Sequence, residues 1–136
     1  MSSIQMGLAH HANYPIWFEC GRTQFFADLG FSYSFIEKKG LLLPLTEMQC
    51  AFFSPLRYED EIAITTELAE ISCARMEFHY EIANGAGAVA ARGRTAHAWT
   101  DRELRVINIA KRMPELYARL EKAVKTGVKP VESGGK

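Results

Sequence analysis

Between Pro15 and Leu29 the apolar residues Ile16, Trp17, Phe18, Cys20, Phe25, Phe26 and Leu29 cover well over half of a helix circumference, and Glu19, Arg22, Gln24 and Asp28 fill the rest. A helix so widely apolar is expected to be mostly buried, covered by other elements on more than a single stripe. Pro15 suits a first turn, Asn13 or Tyr14 the cap, and Gly30 the stop. The remainder of the chain must therefore wrap around this element.

The segments that follow change period. After a loop with Lys38, Lys39 and Gly40, the stretch Leu41 to Phe53 is extended and apolar, stopped by Ser54 and Pro55. Ile62, Ile64 and Leu68 alternate with polar residues, and so do Met76, Phe78, Tyr80 and Ile82. A turn at Asn84, Gly85 and Gly87 leads into Val89, Ala91, Thr95, His97 and Trp99 on one side of the last run. A period of two over such lengths predicts half-buried antiparallel strands. Pro114 to Val124 is a short helix with Leu116, Leu120 and Val124 on its apolar side. The expected architecture is a single α+β domain over 1–124, a curved antiparallel sheet around one central helix, with a disordered tail over 125–136. Such a sheet has open edges, and joining two edges across a twofold axis is the usual remedy.

At 136 residues the chain fits one domain, and its 16 basic and 16 acidic residues balance, which argues against nucleic acid or a membrane surface as partner. Cys20, Cys50 and Cys73 are an odd number without CxxC spacing, the pattern of reduced thiols in a cytoplasmic protein. No apolar run approaches the roughly 20 residues of a membrane span, and the start of the chain lacks the regions of a signal peptide. The adjacent His10 and His11, and His79 and His97 on separate strands, have poor spacing for a metal. No phosphate-binding glycine motif occurs, so neither metal nor cofactor is expected.

The runs MGLAHHANYPIWFECGR at 6–22, FFSPLRYEDEIAI at 52–64, LAEISCARMEFHYEI at 68–82 and the strand Arg94-Thr95-Ala96-His97 resemble the hotdog-fold acyl-CoA thioesterases of the 4-hydroxybenzoyl-CoA thioesterase-like group. The likeness spans about residues 5 to 120, and the helix-start motif is its specific part. It implies a hotdog fold, homodimers with sheets joined edge to edge and often paired into homotetramers, and cleavage of acyl-CoA to free acid and CoA without metal or cofactor. In that family a catalytic Asp stands three residues before the glycine of the motif, at the end of a first strand. Counted back from Gly7 that position is Ile4, and Met1, Ser2 and Ser3 are too few for a strand, so the first strand is expected to be missing. The alternative function is accordingly a weak or inactive acyl-thioester-binding protein of the same fold.

Thioester hydrolysis requires an attacking group and donors for the developing oxyanion. Free backbone N–H groups at a helix start, near His10 to Tyr14, are such donors. His11, and after it His10, are candidate bases because imidazole titrates near neutrality; Asn13 and Tyr14 adjoin them, with capping and packing as their other roles. Glu19 and Glu47 are carboxylates in apolar contexts, able to serve as a base unless paired, Glu19 with Arg22 through the helix spacing and Glu47 with a strand neighbour. Gly7, Trp17, Arg57, Arg75 and Arg94 form the substrate-binding set, the arginines suiting the phosphates of CoA or else being solvated strand residues. Phe25, Phe26, Phe52 and Phe53 permit an aromatic or a medium aliphatic acyl group.

Overall fold

The computed structural model of the protein describes residues 2–6, 14–54 and 61–127, with side chains placed over 17–54 and 61–124. Strand β1 (Ser2–Met6) precedes helix α1 (Tyr14–Asp28) and the short helix α2 (Tyr33–Lys38). Strands β2 (Leu45–Phe52), β3 (Ile62–Ile71), β4 (Arg75–Ala83) and β5 (Val89–Ala98) follow, and α3 (Ile109–Arg112) and α4 (Pro114–Gly127) close the chain. The strands form one antiparallel sheet in the order β1-β3-β4-β5-β2. Helix α1 lies against that sheet, the hotdog arrangement, and α4 packs on β3 through buried Leu116 and Leu120.

The expectation of a missing first strand is corrected. Ser2–Met6 pairs with β3 from Ser2↔Thr66 to Met6↔Ile62, and Ile4 lies mid-strand opposite Ile64. The residues counted for a strand stopped at Ser3, whereas β3 offers a ladder that Ile4, Gln5 and Met6 also join.

Two short helices, α2 and α3, join the elements expected from the sequence. Ser32 caps α2 by accepting from the Phe35 amide at 3.2 Å, and Asn108 caps α3 through the Lys111 amide at 3.1 Å. Each is under two turns, too short for a periodic signal. Helix α4 continues to Gly127, past the expected boundary at 124, and residues 128–136 of the expected tail lie outside the described residues.

The predicted stops behave as their chemistry requires. Gly30 takes a φ of 91°, its N–H reaches the Ala27 carbonyl at 2.9 Å, and the Phe31 N–H reaches Phe26 at 3.0 Å, ending α1 in a Schellman turn. Asn84 shapes the β4–β5 turn by accepting from the amides of Ala86 and Ala88.

The alternating residues of β3 and β4 form the sheet's inner face: Ile62, Ile64, Thr66 and Leu68, then Met76, Phe78, Tyr80 and Ile82, are all buried. A bulge between Leu68 and Glu70 resets the alternation, so Ile71 pairs with Met76 on that same side. Trp17, Phe18, Phe25 and Phe26 of α1 meet this face, each burial stabilising by about 2–3 kcal/mol. Helix and sheet approach closely because Gly21 sits on Thr66 and Gly93 under Phe18, where a β-carbon would overlap its neighbour. Glu19, Thr23, Ala27 and Asp28 face outward, so the helix is covered on one side only, a single chain's sheet having one face to offer. Edge strand β2 leaves Leu45, Met48, Phe52 and the adjoining Phe53 between 40% and 64% exposed.

Candidate active site

Helix α1 begins at Tyr14, and its first turn carries backbone N–H groups that no preceding helical carbonyl can reach. Pro15 has no N–H, which leaves those of Tyr14 and Ile16 in this turn, at the positive end of the helix dipole. One residue further, Trp17 is buried against the sheet, and Phe18 is stacked on Tyr80 with ring centroids 4.4 Å apart.

Beneath this helix runs a chain of buried polar groups. Arg22 Nη1 donates to the Tyr80 hydroxyl at 3.0 Å, and that oxygen lies 2.6 Å from Thr95 Oγ1. Thr95 Oγ1 is 2.8 Å from His97 Nε2, and His97 Nδ1 is 3.2 Å from the Leu43 carbonyl. A carbonyl only accepts, so Nδ1 carries the proton and Nε2 accepts from Thr95. Every donor then points the same way, from the guanidinium through Tyr80 and Thr95 to His97 and Leu43. Burial, followed by the Arg22 charge, lowers the His97 pKa to about 4, which keeps the imidazole neutral. Burial raises the phenols of Tyr80 and Tyr33, opposed by the charge of Arg22.

The charged residues of the sheet lie on its other face. Arg94 Nη2 contacts Glu47 and Glu77 at 3.0 Å each, and His79 contacts Glu77 at 2.8 Å. Hydrogen bonds from Arg94, and secondarily His79, lower the Glu77 pKa against the effect of burial. One outer recess of about 520 Å³ is lined by Gln49, Ala51, His79, Arg92 and Arg94. A second of about 230 Å³ has Thr46, Glu70, Arg75 and Glu77 at its walls.

The candidates of the sequence thus divide. Trp17 lies under the start of α1; Tyr14 opens that helix, its side chain outside the described residues, as are Gly7, His10, His11, Asn13 and Arg57. Glu47 and Arg94 meet on the opposite face of the sheet, Arg75 lines a separate recess on that face, and within one chain Glu47 is not brought to α1. Glu19 is exposed, and Arg22 turns inward to Tyr80 instead of pairing with it. The network of Arg22, Tyr80, Thr95 and His97 was not singled out in the sequence. Its signal was present, because Arg22 is four residues from both Phe18 and Phe26 and so shares their buried stripe.

A profile of the thioesterase-like superfamily matches residues 5–126. YneP of Bacillus subtilis (strain 168), provisionally named an acyl-CoA thioesterase, is 35% identical over 122 residues, 89% of this chain and 88% of its own. A protein of Aquifex aeolicus (strain VF5), provisionally named an esterase, is 31% identical over 110 residues, 81% of this chain and 84% of its own. Among solved structures, the DHNA-CoA thioesterase of Staphylococcus aureus superposes with a TM-score of 0.83 at 25% identity, covering 96% of this chain and 97% of that one.

Proposed function

The chain belongs to the thioesterase-like superfamily and is a thioester hydrolase of the acyl-CoA class, and from that premise we propose that it cleaves its substrate at the start of α1. The feature that carries this site is the first turn of α1, where the N–H groups of Tyr14 and Ile16 have no acceptor within the helix, followed by buried Trp17 and Phe18. A thioester carbonyl placed there gains donors for the negative charge that develops when water adds to its carbon. The C–S bond then breaks, the acyl group leaves as the acid, and the proton taken from water returns to the CoA sulfur.

His11, immediately before the helix in sequence, is the proposed base, with His10 second and Asn13 and Tyr14 adjoining. Gly7 and Trp17 belong to the acyl side of the site. Arg57, Arg75 and Arg94 are the proposed CoA side. Arg75 and Arg94 lie on the face of the sheet away from α1, so they reach only the α1 site of a neighbouring copy, and Arg94 is already neutralised by two carboxylates. Glu47 faces away from α1, so a part for it in the chemistry requires a neighbouring copy. Assembly as a homodimer or homotetramer is supported by the open edge of β2 and its exposed Leu45, Met48, Phe52 and Phe53. No helix among the described residues is long and apolar enough to cross a membrane. The free thiols of Cys20, Cys50 and Cys73 accord with a cytoplasmic setting.

A second function, binding an acyl thioester without turnover, is favoured by Ile4 in β1, where the resemblance implies a catalytic carboxylate. Thiol release from a panel of aromatic and aliphatic acyl-CoA esters separates the two. Hydrolysis that falls at least about a hundredfold in His11→Ala supports the enzyme. Binding of the esters with no thiol released from any of them supports the alternative.

A further inference from the structure

Arg22 is a cation inside the apolar stripe of α1, between Phe18 and Phe26, with its Nε fully buried and without a partner. No ion pair to a carboxylate holds it among the described residues; its Nη1 donates to the Tyr80 hydroxyl at 3.0 Å. Burying such a charge is costly, and apolar packing alone would favour a leucine or methionine here. Apolar side chains also say little about rotation. The stripe of α1 is aromatic and wide, and sliding or turning it over the sheet exchanges one apolar contact for another. A directional bond does discriminate between such settings.

The contacts transmit that setting. The Tyr80 hydroxyl is fixed from one side by Arg22 and from the other by Thr95, itself tied through His97 to the Leu43 carbonyl. The Tyr80 ring stacks on Phe18 with 16° between planes, and Phe18 is pressed on Gly93. Phe18 lies one turn into α1, immediately inside the residues whose N–H groups point out of the helix. We propose that Arg22 is a positioning residue for the hydrolysis: through Tyr80 and Phe18 it sets the rotation of α1 on the sheet and so holds the start of the helix in register with the thioester carbonyl. This rests on the site proposed above.

The test uses Arg22→Met, Arg22→Lys, Tyr80→Phe and the Met/Phe double variant of the full chain. Each is followed by kcat and KM on the acyl-CoA that the parent protein hydrolyses fastest, by Tm, and by amide hydrogen exchange. We expect kcat to fall about ten- to a hundredfold in Arg22→Met and Tyr80→Phe at nearly constant KM, the scale of a misplacement of about an ångström. The double variant should be no slower than the slower single one, since both cut the same link. Arg22→Lys, which keeps the charge, should recover part of the rate. Exchange over Phe18–Arg22, the first amides bonded to carbonyls inside α1, should rise at least about tenfold while β3 to β5 remain protected.

A kcat that falls only with the folded fraction, additive losses in the double variant, or unchanged exchange at the start of α1 would each overturn the proposal. Should Arg22→Met not fold, Tyr80→Phe, which retains the ring stack, decides the question alone. Absence of turnover in the parent protein would refute the hydrolytic site, while the exchange measurement would still judge the positioning role of Arg22.

Discussion

The ring of Phe18 rests on the backbone of Gly93 so closely that a β-carbon at position 93 would overlap its Cε2 and Cζ. Neither partner can yield easily, because Phe18 is also held by Tyr80 and fully buried. Gly93→Ala should therefore destabilise the fold by about 1–3 kcal/mol, the usual cost of overpacking a filled core. Urea unfolding measures it, and a midpoint equal to that of the parent protein would show that α1 can lift off β5 at no cost.

His97 makes stability depend on acidity. In the unfolded chain it titrates near its ordinary value of about 6.5, whereas in the fold burial and Arg22 lower it to about 4. Between those values the unfolded chain binds the proton and the fold does not, so this contribution is lost as pH falls through the window. Relative to a His97→Gln variant, the parent protein should lose about 2 kcal/mol between pH 7 and pH 5. Parallel urea midpoints for the two proteins across that range would exclude a buried neutral imidazole.

Arg75 and Arg94 differ in what they can give an anionic ligand. Arg94 is neutralised by Glu47 and Glu77, while Arg75 has no ion pair among the described residues. Arg75→Ala is expected to weaken CoA-ester binding several-fold, in a manner that fades with added salt. Arg94→Ala should have the smaller effect on binding. Titration calorimetry at two ionic strengths checks both, and equal affinities for the parent and both variants would place the nucleotide elsewhere.

Ile4 and His11 address the attacking group. If a carboxylate at position 4 can act as it does in the family that the chain resembles, Ile4→Asp should raise kcat by about a hundredfold, the lower end of acid–base assistance. The double variant Ile4→Asp/His11→Ala should then keep most of that rate. A rate unchanged in Ile4→Asp and abolished in His11→Ala alone would assign the base to the histidine. Ile4 pairs opposite Ile64 in β1, so folding of the variant must be verified by Tm.

The exposed residues of β2 should be covered in solution. Sedimentation at micromolar concentration is expected to give a dimer or tetramer, and Phe52→Asp to shift it toward monomer by placing a charge on a surface otherwise buried between copies. A monomeric parent protein would remove the support that this edge lends to assembly.

The sequence by itself determined the elements whose signal is local and repeated. The apolar span of α1, the alternation in β3, β4 and β5, the Asn84 turn and the stop at Gly30 each follow from side-chain period or backbone preference, and each was legible. The motif from Met6 to Arg22 was enough to place the chain in its family. Tertiary structure decided the rest. Whether Ile4 belonged to a strand depended on the partner ladder of β3, which no residue near Ile4 announces. The spacing of Arg22 from Phe18 and Phe26 placed it on the buried stripe, but only the fold brought the Tyr80 hydroxyl across the core to receive its guanidinium. Glu47 and Arg94 were candidates for one site with His11 until strand parity put them on the face of the sheet away from α1. In each case the deciding interaction joins residues dozens of positions apart, and its free energy exists only once the fold has brought them together.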